Sequence, residues 1–393
     1  MDRVPTVFIS AGEVSGDLHA ARLVEALLTR VPALQVWGVG SHRMRQAGVE
    51  VRWDVTRYSA VGLLEHLPGL RPIAKTLSEV REALVATRPD VVVLVDYQGM
   101  NMQIARAAKA LGIPTVYYIS PQEWIWGLPG GCRKVAEVSD LILAIFEKEA
   151  AAYRKTGANV EFIGHPLLDM VPPDERGALA HRLGVDVAEP IVALFPGSRR
   201  MELSRLLPPM LEACEQILAA NPRVQFLLPV ASPDLAELVA SLRAKRPGVG
   251  VKLVSDVSGM ALMRLSDVVL AASGTVVLEA AVVGTPVVAA YKIGGLAAFI
   301  AKRLMRGAHV TLPNIVMDEG IVPELLQGEA NGARMAEEVL RLLQNPGDRA
   351  RMVARLAAVR AKLGTPGAVG RAADRIVERL GASQDTKEAK TLA

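Results

Sequence analysis

Ile191-Val192-Ala193-Leu194-Phe195-Pro196-Gly197-Ser198-Arg199-Arg200-Met201-Glu202 reads as three things in succession. The apolar run is a strand covered on both faces. Pro-Gly-Ser is a turn, and the stretch from Arg200 to Ala219 is a helix. A strand that passes into a helix through a glycine turn is half of a βαβ unit, the repeating piece of a parallel sheet. Glycine lets the backbone come close to a ligand. The first N–H groups of the helix can donate to an anion, and Arg199 adds a planar cation matched to phosphate oxygens. Gly197, Ser198 and Arg199 are therefore candidates for a diphosphate site; the alternative is a tight turn with an exposed arginine.

The same rhythm extends in both directions. Towards the N-terminus the strand candidates are Val7–Ser10, Gln35–Val39, Val91–Asp96, Thr115–Ile119, Leu141–Ile145 and Val160–Ile163, with amphipathic stretches such as Leu18–Leu28 and Leu77–Thr87 between them. Val171-Pro172-Pro173-Asp174-Glu175 reads as a linker. The second series is Ile191–Phe195, Gln225–Pro229, Val251–Val254, Val268–Ala271 and Pro286–Ala290, and beyond Asn331 the pattern is helical. Two doubly wound, Rossmann-like α/β domains follow, at 1–170 and 171–354, facing a central cleft. Helices at about 355–381 are expected to pack back on the first domain, with a flexible tail at 382–393.

Composition narrows the class. Hydrophobic residues make up 51% and charged residues 22%, which excludes a disordered chain. The net charge of +4 is mild and the basic residues are interspersed, so no nucleic-acid partner is expected; a phosphorylated substrate or an anionic membrane surface fits, as does an ordinary mixed surface. Cys132 and Cys214 are isolated, which argues against a disulfide framework or a zinc site and fits a reducing cytoplasm. The N-terminal apolar run is too short for a secretory signal. Between Val268 and Ala301 only Glu279 and Lys292 are charged, but Ser273-Gly274-Thr275 and Gly284-Thr285-Pro286 cut the stretch into strand- and helix-sized pieces rather than a membrane span.

Other strand ends carry chemistry. Ala272-Ser273-Gly274-Thr275-Val276-Val277-Leu278-Glu279 repeats the strand–turn–helix pattern. Ser273, Gly274 and Thr275 can offer N–H and hydroxyl groups to phosphate, and Glu279 can accept hydrogen bonds from a ribose diol; the alternative is an N-cap with a first-turn acid. Ser10-Ala11-Gly12-Glu13-Val14-Ser15-Gly16-Asp17 follows the first strand, and Asp17 is either a functional acid or a helix cap. Neither this loop nor Gly38-Val39-Gly40 is GxGxxG, so no nicotinamide or flavin cofactor is expected. Asp96 ends the most apolar strand of the first half, where a general base would stand; an Asx-turn or N-cap is the alternative. Trp124 and Trp126 either pack on a sugar or acyl chain or cap the core. His165 reads as structural more readily than catalytic. No metal-ligand cluster and no DxD pair occurs.

Taken together and in order, SAGEVSGD (10–17), Asp96 to Asn101, SPQEWIW (120–126), IGHP (163–166), PGSRRMEL (196–203), ASGTVVLEA (272–280), LPNI (312–315) and PELLQ (323–327) resemble the lipid-A-disaccharide synthase family. The resemblance runs from about residue 6 to about residue 380. It implies a GT-B architecture and an inverting transfer from UDP-2,3-diacylglucosamine to 2,3-diacylglucosamine 1-phosphate, with no cofactor and no metal. It implies Asp96 as base, Gly197, Ser198, Arg199 and the Ser273–Thr275 turn on the diphosphate, Glu279 on ribose, and Asn314 and Gln327 lining the donor site. Gly12, Glu13, Ser15, Gly16, Asp17, Asn101, Trp124 and Trp126 fall on the acceptor side. The family usually carries a second acid and an aromatic residue before Asn101, where this chain has Gly99 and Met100. An acylated substrate implies a cytoplasmic enzyme peripheral on the inner membrane, as monomer or homodimer. Val61, Leu63, Leu64, Leu67, Leu70 and Ile73, interleaved with Arg71 and Lys75, suit a lipid surface and equally a buried helix face. Two rival functions remain: a UDP-N-acetylglucosamine 2-epimerase or other GT-B enzyme with a soluble substrate, and a non-catalytic sugar-nucleotide binder.

Overall fold

The computed structural model describes residues 4–56, 70–126, 130–230, 233–292 and 309–392. The chain forms two compact units, Met1–Asp169 with Leu363–Ala393, and Met170–Lys362.

Unit 1 runs β1 (Thr6–Ala11), α1 (Val14–Arg30), β2 (Gln35–Val39), α2 (His42–Gln46), β3 (Glu50–Trp53), α3 (Leu70–Thr87), β4 (Val91–Val95), α4 (Gln98–Ala110), β5 (Thr115–Tyr118), α5 (Glu123–Trp126), α6 (Gly131–Ala136), β6 (Leu141–Ala144), α7 (Glu147–Arg154) and β7 (Val160–Phe162). Its parallel sheet has the order β3-β2-β1-β4-β5-β6-β7. The central strand β4 is buried at every residue, which is why its sequence shows an unbroken valine-rich run. Phe8, Leu94 and Tyr117 pack with Val80 and Leu84 of α3 and Ile104 of α4 in the core.

Unit 2 runs α8 (Arg176–Leu183), β8 (Ile191–Phe195), α9 (Arg200–Ala220), β9 (Gln225–Pro229), α10 (Pro233–Arg243), β10 (Val251–Val254), α11 (Gly259–Leu265), β11 (Val268–Ala272), α12 (Thr275–Val283), β12 (Val287–Tyr291), α13 (Leu312–Met317), β13 (Glu324–Leu326), α14 (Gly332–Gln344) and α15 (Pro346–Lys362). The sheet order is β10-β9-β8-β11-β12-β13, again parallel. No described helix is long and apolar enough to cross a membrane.

Two edge strands escape the sequence reading. β3 is partly exposed along its length and has no apolar run, and β13 has only three residues. The expected strands also overran at Asp96 and Ile119, whose φ angles of +49° and +58° end the strand and turn the chain. The return to unit 1 begins at Leu363, not at about 355. Residues 355–362 complete α15, which buries Met352, Leu356 and Val359 and packs on α12, α13 and α14 of unit 2. The last helix, α16 (Ala368–Leu392), lies against α1. It continues through the segment expected to be a loose tail, whose Ala, Gln, Glu and Lys residues favour helix without needing a buried face.

In each sheet the winding direction reverses once, between β1 and β4 and between β8 and β11. Crevices at such reversals, outside the carboxyl ends of the strands, are where ligands of doubly wound sheets bind. The loops and first helical turns that follow these strands carry Gly12 to Asp17, Asp96, Gly197 to Arg199 and Ser273 to Thr275.

Candidate active site

In unit 1 the reversal is built around a strained turn. Asp96 and Tyr97 are successive non-glycine residues in the left-handed region, at φ +49° and +47°. Such conformations cost on the order of 1–3 kcal/mol each and need outside support. Asn101, fully buried at the start of α4, provides it. Its Nδ2 donates to the carbonyls of Asp96 (2.8 Å), Val95 (3.1 Å) and Ser10 (3.3 Å), and its Oδ1 accepts from Ser10 Oγ (2.6 Å). Tyr117 Oη donates to the same Asp96 carbonyl at 3.0 Å. The Tyr97 ring lies on Gly12, where a Cβ would sit 2.1 Å from the ring, so only glycine fits. The half-buried Asp96 carboxyl is pushed up to about 6, first by desolvation and then by the charge of Glu13. A carboxylate at that value is ionised at neutral pH and still basic enough to take a proton from a hydroxyl in a transition state.

The expected acceptor-side residues divide into two groups. Gly12 and Glu13 lie on the β1–α1 loop, the neighbour of Asp96, and Ser15 is exposed in the first turn of α1. Gly16, Asp17 and Asn101 are buried supports. Asp17 accepts from the backbone N–H groups of Ser41 (2.6 Å), Arg43 (3.1 Å) and Met44 (3.4 Å), so it caps the start of α2, and its carboxylate is spent there. Trp124 is half-buried with its ring 5.5 Å from Phe146, which in turn lies 5.0 Å from His165. The side chain of Trp126 lies outside the described residues, as do residues 57–69 of the apolar stretch. His165 is buried, held down to about 3 chiefly by desolvation, and accepts from Leu167 N at 3.2 Å; it is a neutral structural residue.

Sequence reasoning missed Glu149. This fully buried carboxylate accepts from Ser120 Oγ and from the N–H groups of Ile145 (2.8 Å) and Phe146 (3.1 Å), and desolvation above all pushes it up to about 7. It ties the end of β5 to the end of β6. Its one legible signal is a glutamate three residues into a helix.

In unit 2 the register sets the loops side by side. Phe195 pairs with Ala271, Ala272 with Ala290, and Tyr291 with Leu326, so the ends of β8, β11, β12 and β13 form one row. Gly197 has φ +112°. Ser198 N donates to Glu202 Oε2 at 3.2 Å, and Arg199 Nη1 pairs with Glu202 Oε1 at 3.1 Å. Ser273 is half-buried, while Gly274 and Thr275 are exposed at the start of α12. Glu279, one turn on, is pushed up by burial and has no donor to its carboxylate among the described residues. Gln327, at φ +52°, is a strained non-glycine residue at the end of β13. Tyr291, unremarked in the sequence, ends β12 near the charges of Glu202 and Arg199.

Asn314 does not line an open site with its side chain. It is 1% exposed; its Nδ2 donates to Val322 O and Glu324 Oε1, and its Oδ1 accepts from Ile321 N and Val322 N. It fastens α13 to the approach to β13. Among the described residues no group of three or more His, Cys, Asp or Glu side chains is placed to hold a metal.

Two doubly wound parallel-sheet units with polar loops at their reversals define the GT-B class. Solved structures of like fold include the S. aureus MnaA–UDP co-structure (TM-score 0.68, 14% identity, covering 96% of this chain and 97% of that one) and the glycotransferase of kitacinnamycin (TM-score 0.61, 18% identity, 96% and 99%). At these identities the likeness is one of fold. The family model described as lipid-A-disaccharide synthetase matches residues 7–365. The lipid-A-disaccharide synthase of Geobacter sulfurreducens is 39% identical over 380 residues, covering 95% of this chain and 97% of that one. The chain belongs to the lipid-A-disaccharide synthase family and is a glycosyltransferase.

Proposed function

We propose that the chain transfers the sugar of UDP-2,3-diacylglucosamine to the 6-hydroxyl of 2,3-diacylglucosamine 1-phosphate, giving the β-1,6-linked disaccharide 1-phosphate and UDP. The observation that carries this reading is the family match, continuous over residues 7–365. In this reading Asp96 takes the proton of the attacking hydroxyl. The new O–C1 bond forms as the C1–diphosphate bond breaks on the opposite face, which inverts the anomeric centre. Arg199 and the N–H groups of the turns at 197–198 and 273–275 receive the charge that develops on the leaving diphosphate. Glu279 supports the reading because its carboxylate has no donor among the described residues, and a ribose diol offers two. Glu13 and Ser15 meet the acceptor, and Gln327 the donor; Asp17, Asn101 and Asn314 support from beneath.

Incubating the pure protein with both authentic substrates should yield the disaccharide 1-phosphate by mass spectrometry; no product would defeat the assignment. Asp96→Asn should lower kcat by about two to four orders of magnitude while UDP still binds, as expected for loss of a general base. Normal turnover in that variant would remove Asp96 from the role. In this reading the acylated substrates bring the enzyme to the inner face of the inner membrane, with Val61, Leu63, Leu64 and Leu67 as its contact, since Ile73 and Leu77 pack on the core of unit 1. Liposome binding unchanged by replacing Leu63 and Leu64 with Ser in a folded variant would sink that part.

A further inference from the structure

We infer that Glu202 is a positioning residue for the transfer reaction: its carboxylate engages the phosphate-suited groups of the β8–α9 turn and must give them up before the diphosphate of the donor binds. This rests on the donor reading of that turn given above. Three observations place the carboxylate there. It accepts from Ser198 N at 3.2 Å. It pairs with the Arg199 guanidinium at 3.1 Å. It also fills the space over Gly197, where an added Cβ would lie 2.5 Å from Glu202 Oε2. These are the N–H group, the cation and the point of close backbone approach that make the turn fit for phosphate.

The same donors cannot serve two anions at once. A carboxylate left beside a bound diphosphate would repel it, so binding exchanges one anion for the other. The exchange needs only side-chain rotation, because Arg199 and Glu202 remain 39% and 34% exposed. An ion pair that open is worth little, and a diphosphate with more charge displaces it. Glu202 thus keeps Arg199 and the turn in their binding arrangement when the site is empty, and its return assists departure of UDP. The Tyr291 phenol, at the end of β12, feels both charges: beyond burial, which raises its pKa most, Glu202 raises it and Arg199 lowers it.

The test is calorimetric binding of UDP and of uridine to the full chain, as wild type, Glu202→Gln and Arg199→Ala, with initial-rate kinetics on the first two. Gln keeps the shape and removes the charge. Relief of a half-exposed repulsion should tighten UDP by about three- to tenfold and leave uridine within about twofold. The KM for the donor should fall and inhibition by UDP should deepen in parallel. UDP affinity that is unchanged or weaker in Glu202→Gln, while wild type prefers UDP to uridine and Arg199→Ala loses that preference, overturns the role of Glu202. If wild type shows no preference for UDP over uridine, or Arg199→Ala keeps it, the donor reading itself falls.

Discussion

Asp96 and Glu13 meet at the ends of neighbouring strands, and their proximity has a measurable sign. The base form of Asp96 is the active one, and its carboxyl sits at about 6 because of burial first and Glu13 second. Activity should therefore fall as pH drops through about 6, in a pH profile of kcat/KM. Glu13→Gln removes the second cause, so the acidic limb should move to lower pH whatever happens to the plateau. A limb that stays in place would mean that Glu13 does not act on Asp96. The positions of Asp96, Arg199 and Glu279 were legible because each follows a strand or opens a helix within a few residues of sequence. Asp17 and Asn314 were not, because what decides their roles is a partner that only the fold brings up. Asp17 spends its carboxylate on backbone 24–27 residues away, and Asn314 on a segment seven and eight residues on.

At the scale of elements, the β4–α4 turn and the β5 and β6 ends are held by buried polar side chains, and each makes a prediction. Asn101→Ala orphans buried carbonyls beneath a strained turn; the expected cost is about 2–4 kcal/mol in chemical denaturation, with loss of turnover. Glu149 titrates the other way from an ordinary paired carboxylate. Its folded value of about 7 exceeds the usual 4.5, so its contribution to stability is full below about 4.5 and is lost as pH rises through about 7. Glu149→Gln keeps the neutral form at every pH. It should stabilise the protein at pH 8, on the order of 1–2 kcal/mol, and have little effect at pH 4.5, read from denaturation midpoints at both values. Equal midpoint shifts at the two pH values would refute the assignment. Among the elements themselves, buried central strands announced themselves by apolar runs. The edge strands β3 and β13 did not, since an edge needs neither a run nor much length.

For the whole molecule, the order of elements is not the order of the units. Ile376 and Leu380 of α16 are buried in unit 1, with Ala368, Ala372 and Ala373. Arg371 donates to Ile163 O at 2.8 Å, and Leu363 O accepts from His165 N at 2.9 Å. Removing residues 363–393 should strip roughly 3–6 kcal/mol from unit 1 through Ile376 and Leu380 alone. Limited proteolysis should then cut unit 1 first and leave 170–362 resistant; equal resistance of both would refute this. A helical C-terminal region was legible in the sequence, but not where it changed allegiance. α15 and α16 are both amphipathic, and only their partners tell them apart. The same arrangement orders events on the ribosome. The first 169 residues emerge before the second unit, yet their last helix is made only after residue 362. At ordinary elongation rates of about 5–20 residues per second, that is a wait of roughly 10–40 s. Throughout it the face of α1 that α16 will cover is open to solvent. The second unit, whose chain is contiguous, is fully synthesised before α16 begins, so the half of the enzyme translated first is the half whose chain is completed last.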